Sequence, residues 1–152
     1  GGRAGPGRGE LLSSESAVTA DSHIRAKLVV CLPEAGASRT CREFEGALVD
    51  TGATHTTISA AAADALGLKG GRAVEARLAD GRQVAGRIVA ARVCLGDNAK
   101  PSAAVCHDAP VTVLDGAVRP LVGASTLRAL RAQLDVGAGT LSVQGRVATR
   151  ED

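Results

Sequence analysis

The chain has 152 residues, 45% of them apolar and 22% charged, which is typical of one globular domain with a modest core. Its net charge of +2 is too small to indicate a nucleic acid or an anionic membrane as partner, and no run of about 18 apolar residues is present to span a bilayer. Phe44 is the one aromatic residue, so the core must consist of small aliphatic side chains. A lone domain of this kind would be marginally stable, and burial of a subunit interface is therefore favoured.

The N-terminal residues 1–22 are rich in Gly, Ser and Arg, a composition typical of a flexible lead-in. We expect the folded domain to span residues 23–146 and a short tail to cover residues 147–152. Because the chain starts at Gly1 and not at Met, we interpret it as a trimmed or processed product. Self-processing and an upstream signal or anchor, which would give a periplasmic or membrane-anchored location, both stay open.

Alternating apolar residues and turn residues predict a mostly β chain. The predicted strands are 26–32, 41–49, 56–58, 74–78, 84–95, 103–107, 111–114, 121–123, 134–136 and 140–143. Asp80-Gly81 lies between two of these strands and predicts a hairpin, since Asp-Gly is among the stronger short-range hairpin signals.

Two short helices are also predicted. Ser59 is expected to cap the first helix, which runs through Leu66 and is ended by Gly67. A second helix follows Gly123, and the residues spaced to lie on one face of it are Leu127, Leu130 and Leu134.

The four cysteines fall on predicted hairpins, with Cys31 and Cys41 on the arms of one and Cys94 and Cys106 on the arms of another. Cross-strand disulfides, which would indicate an oxidising compartment, and four half-buried thiols are both open. Because there is no C-x-x-C pair and no His at zinc-ligand spacing, we expect no metal site, and no motif predicts a cofactor.

The segment that carries chemistry is Asp50-Thr51-Gly52. Apolar residues 47–49 deliver a carboxylate to a strand end, and the glycine lets the backbone turn tightly and approach a ligand. Two carboxylates held about 3 Å apart share a proton, so that one activates a water and the other polarises a carbonyl. The sequence has no second Asp-Thr-Gly or Asp-Ser-Gly, so if this mechanism applies, the second carboxylate must come from another copy of the chain.

A family resemblance rests on three segments. Residues 48–54, Leu-Val-Asp-Thr-Gly-Ala-Thr, resemble the active-site loop of the retropepsin-like aspartic proteases. Leu121-Val122-Gly123 resembles the second signature of that family, and the Asp80-Gly81 hairpin falls where the family has its flap. The resemblance implies an all-β fold, the closed acid-protease barrel with one or two short helices and one lobe per chain, and a homodimer that cleaves extended peptide or protein substrates.

The resemblance also implies three groups of site residues, namely an active-site loop, a flap and a support behind the loop. These are catalytic Asp50 with Thr51, Gly52, Ala53 and Thr54 in the loop; Ala79, Asp80, Gly81 and Arg82 in the flap; and Leu121, Val122 and Gly123 in the support. The final strand, near residues 140–143, is expected to join an intersubunit sheet.

Two positions depart from the viral pattern of the family. Viral members often pair an Asp two residues after the Gly with an Arg directly after the second-signature Gly, whereas this chain has Thr54 and Ala124. Both partners are absent together, so no buried charge is left unpaired, but the loop must be held in another way. Together with the polar flap tip, this favours a cellular or bacterial member over a viral one.

Two functions follow from these observations. The first is aspartic endopeptidase activity with an acidic pH optimum and a preference for apolar residues beside the cut, in pockets lined by Leu78, Val84, Ile88 and Val122. The second is a catalytically silent module for dimerisation or peptide binding, in which Asp50 would look the same.

Other interpretations are weaker. Asp50-Thr51-Gly52 alone is compatible with a plain turn. His55 is interpreted as an exposed loop residue, although its place near Asp50 also suits a substrate subsite. A serine hydrolase and a P-loop are disfavoured because neither Gly-x-Ser-x-Gly nor Gly-x-x-x-x-Gly-Lys-Ser/Thr occurs.

Overall fold

The fold was obtained as a computed structural model, which describes residues 24–33, 40–78, 80–96, 105–143 and 146–149. Four sequence predictions lie wholly or partly outside the described residues: the flexible lead-in 1–22, the flap-tip residue Ala79, the start of the strand 103–107 and the end of the tail 147–152.

Ten strands and two short helices occur within the described residues, which confirms the mostly β prediction. The strands are β1 (Arg25–Cys31), β2 (Cys41–Val49), β3 (Thr56–Ser59), β4 (Arg72–Arg77), β5 (Gln83–Gly96), β6 (Val105–Leu114), β7 (Leu121–Val122), β8 (Ala132–Asp135), β9 (Thr140–Val143) and β10 (Arg146–Thr149). The helices are α1 (Ala60–Leu66) and α2 (Ala124–Ala129).

Seven strands form one sheet in the order β1-β2-β7-β3-β6-β5-β4, and β1 also pairs with β5. The 14-residue β5 makes this possible because its first half pairs with β4 and its last residues pair with β1. A smaller sheet has the order β10-β9-β8. The short β7 lies between β2 and β3, and this position puts the second signature directly beside the strand that carries Asp50.

The core follows from the alternation of apolar residues along these strands. On β1, Leu28 and Val30 are fully buried in the main core, while Val29 and Cys31 point to a smaller cluster on the opposite face. On β5, Val93 is fully buried in the main core. Successive strand residues face opposite sides of a sheet, so both faces are apolar here.

Helix α1 confirms its predicted start and end. The Ser59 hydroxyl accepts a hydrogen bond from the Ala62 amide at 3.1 Å, which satisfies one of the amides that a helix start leaves without a partner. Gly67 adopts the left-handed conformation, with φ of 91°, and ends the helix.

The prediction for the second helix was wrong at its C-terminal end. Helix α2 ends at Ala129 and Arg131 adopts a left-handed conformation with φ of 56°. Leu134 therefore lies on strand β8, in agreement with the predicted strand 134–136, and not on the predicted helix face. Leu127 and Leu130 are buried as expected. A spacing of three and four residues fits a helix face, but it cannot reveal a left-handed residue that breaks the helix.

Two further features differ from the sequence prediction. Residues 105–114 form one continuous strand, where two strands were expected, because β6 pairs with β5 along its whole length. Strand β10, which pairs with β9, had no sequence signal assigned to it.

The cysteines form two disulfides, Cys31–Cys41 and Cys94–Cys106, which resolves the alternatives left open by the sequence. In each case the two residues face each other directly across an antiparallel pair, β1 with β2 and β5 with β6. Because β1 also pairs with β5, four neighbouring strands carry the two covalent links.

Candidate active site

Asp50 lies directly after β2, where the buried Ala47 and Val49 anchor the strand in the core. Its carboxylate Oδ1 accepts a hydrogen bond from the Gly52 amide at 2.9 Å. Its carbonyl oxygen accepts another from the Ala53 amide at 3.2 Å. These two bonds close a tight turn, so the half-buried carboxylate has a fixed orientation relative to the strand.

The segment 121–123 supports this turn from behind. Strand β7 pairs in parallel with β2, with Leu121 opposite Leu48 and Val122 opposite Val49. The Val122 carbonyl accepts a hydrogen bond from the Asp50 amide at 3.0 Å. The second signature therefore contacts the backbone of the aspartate itself.

Backbone hydrogen bonds hold the loop where the charged pair of viral members is absent. The Ala124 amide donates to the Ala53 carbonyl at 2.7 Å, and the Ser125 amide donates to the Thr54 carbonyl at 2.9 Å. Both donors belong to the start of α2, where the first amides have no partner inside the helix. The first residues of α2 therefore take the place of a side-chain ion pair.

A buried polar cluster lies behind the same loop. The hydroxyl oxygens of Thr56 and Thr126 are 2.7 Å apart, and both side chains are completely buried. The Gly123 amide donates to the Thr56 hydroxyl at 3.2 Å, and Nε2 of the half-buried His107 lies 3.2 Å from the Thr126 hydroxyl. Sequence reasoning did not single out Thr56, Thr126 or His107. The sequence signal that could have indicated Thr126 was its position directly before Leu127, on the buried side of a short helix.

Gly123 leaves no room for a side chain. A Cβ at this position would lie 2.3 Å from the His55 carbonyl carbon and 2.8 Å from the Thr56 amide nitrogen. Real Cβ atoms do not approach backbone atoms this closely, so the second signature requires glycine here.

The β4–β5 hairpin approaches the cleft from the other side. Its turn is closed by the Leu78 amide, which donates to the Arg82 carbonyl at 2.8 Å, and Gly81 has a φ of 90° that favours glycine. Asp80 accepts from both the backbone and the side chain of Arg82, at 3.0 and 2.8 Å, and these bonds lower the pKa of the exposed Asp80 carboxyl. The predicted Asp-Gly hairpin is therefore confirmed as a structural element.

A cleft of about 620 Å³ joins the active-site loop to this hairpin. Its lining residues are Asp50, Gly52, Ala53, Thr54, His55, Thr57, Ala76, Arg77, Leu78, Thr112, Leu114, Val118 and Leu121. Leu78 lines the cleft as expected, but Val84, Ile88 and Val122 do not line it in the single chain, and Val122 is completely buried in the core. The cleft thus combines one carboxylate with a largely aliphatic wall.

His55 lies in this cleft wall. Its Nδ1 is buried and has no hydrogen-bond partner among the described residues. Within the same part of the chain, no group of three His, Cys, Asp or Glu side chains could hold a metal ion, and no helix is long and apolar enough to cross a membrane.

The comparison with protein families bears directly on this site. Residues 43–127, more than half of the chain, match the aspartyl protease family. The chain belongs to this family. The match runs from β2 to α2, so it includes the Asp50 turn, the β4–β5 hairpin and the second signature, and it confirms the retropepsin-like assignment made from the motifs.

Among solved structures, the aspartyl protease chain is similar to the retroviral protease-like domain of Ddi1 from Leishmania major. The identity is 15%, the TM-score is 0.47, and the match covers 85% of this chain and 95% of that one. No curated protein sequence gave a match.

Proposed function

We propose that this aspartyl protease is an endopeptidase whose active site contains Asp50 from each of two identical chains. The observation that carries the proposal is the fixed Asp50 carboxylate at one end of a largely aliphatic cleft. The 152 residues hold one Asp-Thr-Gly, which favours a second copy of this chain as the source of the second carboxylate.

The exposure of the loop supports a second chain at this point. Thr51, Gly52 and Thr54 are exposed in the single chain, although the residues on both sides of them are anchored in the sheet. A twofold axis passing beside Thr51 would cover this loop with its own copy, and would bring the two Asp50 side chains together. The loop is then both the catalytic element and part of the dimer contact.

The chemistry follows from two carboxylates at close range. Like charges about 3 Å apart cannot both persist, so the pair holds one proton. The ionised Asp50 accepts a proton from a water as that water attacks the scissile carbonyl carbon, and the protonated Asp50 donates a hydrogen bond to the carbonyl oxygen. The Gly52 amide, which already contacts Oδ1, keeps the carboxylate aligned for this role.

The cleft walls favour an extended peptide with apolar side chains. Leu78, Leu114, Val118 and Leu121 provide aliphatic lining on the side of one chain, and a dimer would repeat it by symmetry. The β4–β5 hairpin, with Asp80 to Arg82 at its tip, would close over the bound peptide as a flap and pair with its backbone.

Asp50→Asn tests this proposal, with Asp64→Asn as the matched control. Asp64 is exposed on α1 and does not line the cleft, so it undergoes the same chemical change away from the site. We expect wild type and Asp64→Asn to cleave a mixed peptide library with pepstatin-sensitive activity. Asp50→Asn should fold and show no cleavage.

Cleavage by Asp50→Asn at the wild-type rate would exclude the proposal. Absence of cleavage by well-folded, dimeric wild type across the acid and neutral range would favour a catalytically silent peptide-binding module instead.

A further inference from the structure

The buried cluster behind the active-site loop connects a histidine to the backbone of Asp50. We call the hydroxyls of Thr56 and Thr126 the hydroxyl chain. At one end of it the Gly123 amide donates to Thr56 at 3.2 Å, and at the other end His107 Nε2 lies 3.2 Å from Thr126. The two hydroxyl oxygens between them are 2.7 Å apart.

The last link runs through a single peptide group. The Gly123 amide and the Val122 carbonyl belong to the same planar peptide unit. That carbonyl accepts the hydrogen bond from the Asp50 amide at 3.0 Å. A rotation of the Gly123 amide would therefore move the acceptor that holds the Asp50 backbone.

The direction of the hydrogen bonds depends on the protonation of His107. The Gly123 amide can only donate, so Thr56 accepts from it. Either hydroxyl can donate in the bond between Thr56 and Thr126, and both hydroxyl hydrogens find an acceptor among these groups only when Thr56 donates to Thr126. Thr126 then donates to His107 Nε2, and this requires a neutral imidazole that carries no proton on Nε2. In this arrangement every hydroxyl accepts one hydrogen bond and donates one.

Protonation of His107 disturbs this order. Nε2 then becomes a donor and can no longer accept the hydroxyl hydrogen of Thr126. If Thr56 still donates to Thr126, the Thr126 hydrogen has no acceptor. If Thr126 donates to Thr56 instead, the Thr56 hydrogen has no acceptor. Neither hydroxyl has a further hydrogen-bond partner among the described residues, and both side chains are completely buried. A buried hydroxyl hydrogen without an acceptor is unfavourable, so protonation of His107 weakens the support of the loop.

The surroundings of His107 favour the neutral form. Burial lowers the pKa of His107, Arg92 acts in the same direction, and Asp108 opposes them. The Asp108 carboxylate is paired with Arg92 at 3.1 Å. The charged or titratable groups on elements packed around β6 are His55 just before β3, Asp64 on α1, Arg87 and Arg92 on β5, Asp108 on β6 itself and the exposed Arg128 on α2.

We propose that His107 is a positioning residue that acts through the hydroxyl chain: the neutral imidazole orders the Val122–Gly123 peptide behind Asp50, and protonation disorders it. The effect on catalysis rests on the proposed function, whereas the effect on the Gly123 amide does not. His107 touches neither the cleft nor Asp50 directly, so its influence is on geometry.

Nuclear magnetic resonance on the full ¹⁵N-labelled chain tests the backbone effect. In wild type, the Gly123 amide resonance should shift with the same pH midpoint as the His107 imidazole. Thr126→Val removes the hydroxyl that lies between His107 and Thr56. In this variant the imidazole of His107 should still titrate, while the Gly123 amide resonance should no longer shift with the same midpoint. In His107→Gln, which keeps a neutral acceptor near the Nε2 position, Gly123 should show no such step. Thr126→Ser should restore the coupling.

A Gly123 amide that ignores the titration of His107 in wild type would overturn the inference, as would an unchanged coupling in Thr126→Val. If Thr126→Val does not fold, the comparison of wild type with His107→Gln decides by itself, since persistence of the Gly123 step without the imidazole contradicts the inference.

The pH dependence of peptide cleavage tests the catalytic consequence. The acidic limb of the wild-type profile should lie at the His107 midpoint and move to lower pH in His107→Gln. An acidic limb that stays in place overturns the link to catalysis. If wild type cleaves no peptide at any pH, the proposed function fails, and the resonance experiment still decides whether His107 controls the Gly123 peptide.

Discussion

Replacing Gly123 with alanine probes the tight contact between the second signature and the active-site loop. The φ at Gly123 is −91°, which any residue can adopt, so the cost of Gly123→Ala comes from the lack of space alone. The new Cβ would lie 2.3 Å from the His55 carbonyl carbon and 2.4 Å from its oxygen. Both are backbone atoms, so a flexible side chain cannot relieve the clash by moving away.

The magnitude follows from three contributions to the free energy of unfolding. Overpacking against rigid atoms costs about 3 kcal/mol. The hydrogen bond from the Gly123 amide to Thr56, which the displaced backbone would lose, contributes about 1 kcal/mol. Alanine restricts the unfolded chain and returns about 0.5 kcal/mol. We therefore expect Gly123→Ala to destabilise the domain by roughly 3 to 4 kcal/mol.

Urea denaturation measures this difference, with Gly137→Ala as the control. A Cβ at Gly137 would have its nearest neighbour, Asp135 Oδ1, at 3.6 Å, an ordinary contact distance. The control should therefore lie within about 0.5 kcal/mol of wild type. If Gly123→Ala is equally benign, the loop does not pack against the second signature as described, and the reasoning about its support is wrong.

Three further predictions concern other parts of the fold. The disulfides have sequence separations of 10 and 12, and a disulfide that closes a loop of that size stabilises a domain by about 3 kcal/mol. A reductant should therefore lower the urea midpoint markedly. An unchanged midpoint would contradict the disulfide assignment. Ser59→Ala should lower the free energy of unfolding by about 1 kcal/mol in the same assay, because α1 loses its N-cap. An unchanged free energy of unfolding would show that the cap does not stabilise the domain. Burial lowers the pKa of His107 from 6.5, so below pH 6.5 the unfolded chain binds more protons than the folded chain. The contribution of neutral His107 to the free energy of unfolding is therefore complete above pH 6.5 and is lost as the pH falls. His107→Gln should remove that part of the pH dependence, and an identical slope in both proteins would refute it.

The turn at Asp50 and its support could be recognised from the sequence because the parts of each are local in sequence. Asp50 follows an apolar strand and precedes a glycine, and Leu121-Val122-Gly123 has its own compact pattern. The pairing of the two segments followed from the family resemblance and was not derivable from either alone. The parallel register of Val49 with Val122 shows how the two segments meet.

The hydroxyl chain could not be predicted because its members are far apart along the chain and chemically ordinary. Thr56 and Thr126 are 70 residues apart, the first on strand β3 and the second on helix α2. Threonine is common on strands, and nothing in the sequence around either residue indicates a buried polar partner. Burial of both hydroxyls in one place is a consequence of tertiary packing. For the same reason, sequence spacing could identify the cysteine pairs on their hairpins but could not decide their oxidation state.

The error at Leu134 has a different cause. Its distance from Leu130 fits a helix face as well as it fits a residue on a following strand. The left-handed Arg131 decides between the two, and arginine carries no sequence signal for that conformation.

The central claim, that two chains supply one Asp50 each to a shared site, is tested most directly by mixing. Wild type is held at constant concentration, equilibrated with increasing Asp50→Asn, and assayed for peptide cleavage. Random pairing at equal concentrations leaves about half of the wild-type chains in all-wild-type dimers, so cleavage should fall to about half and continue to fall with excess variant. Cleavage that stays constant while the two proteins demonstrably exchange subunits would contradict the account, because each chain would then act with its own Asp50 alone.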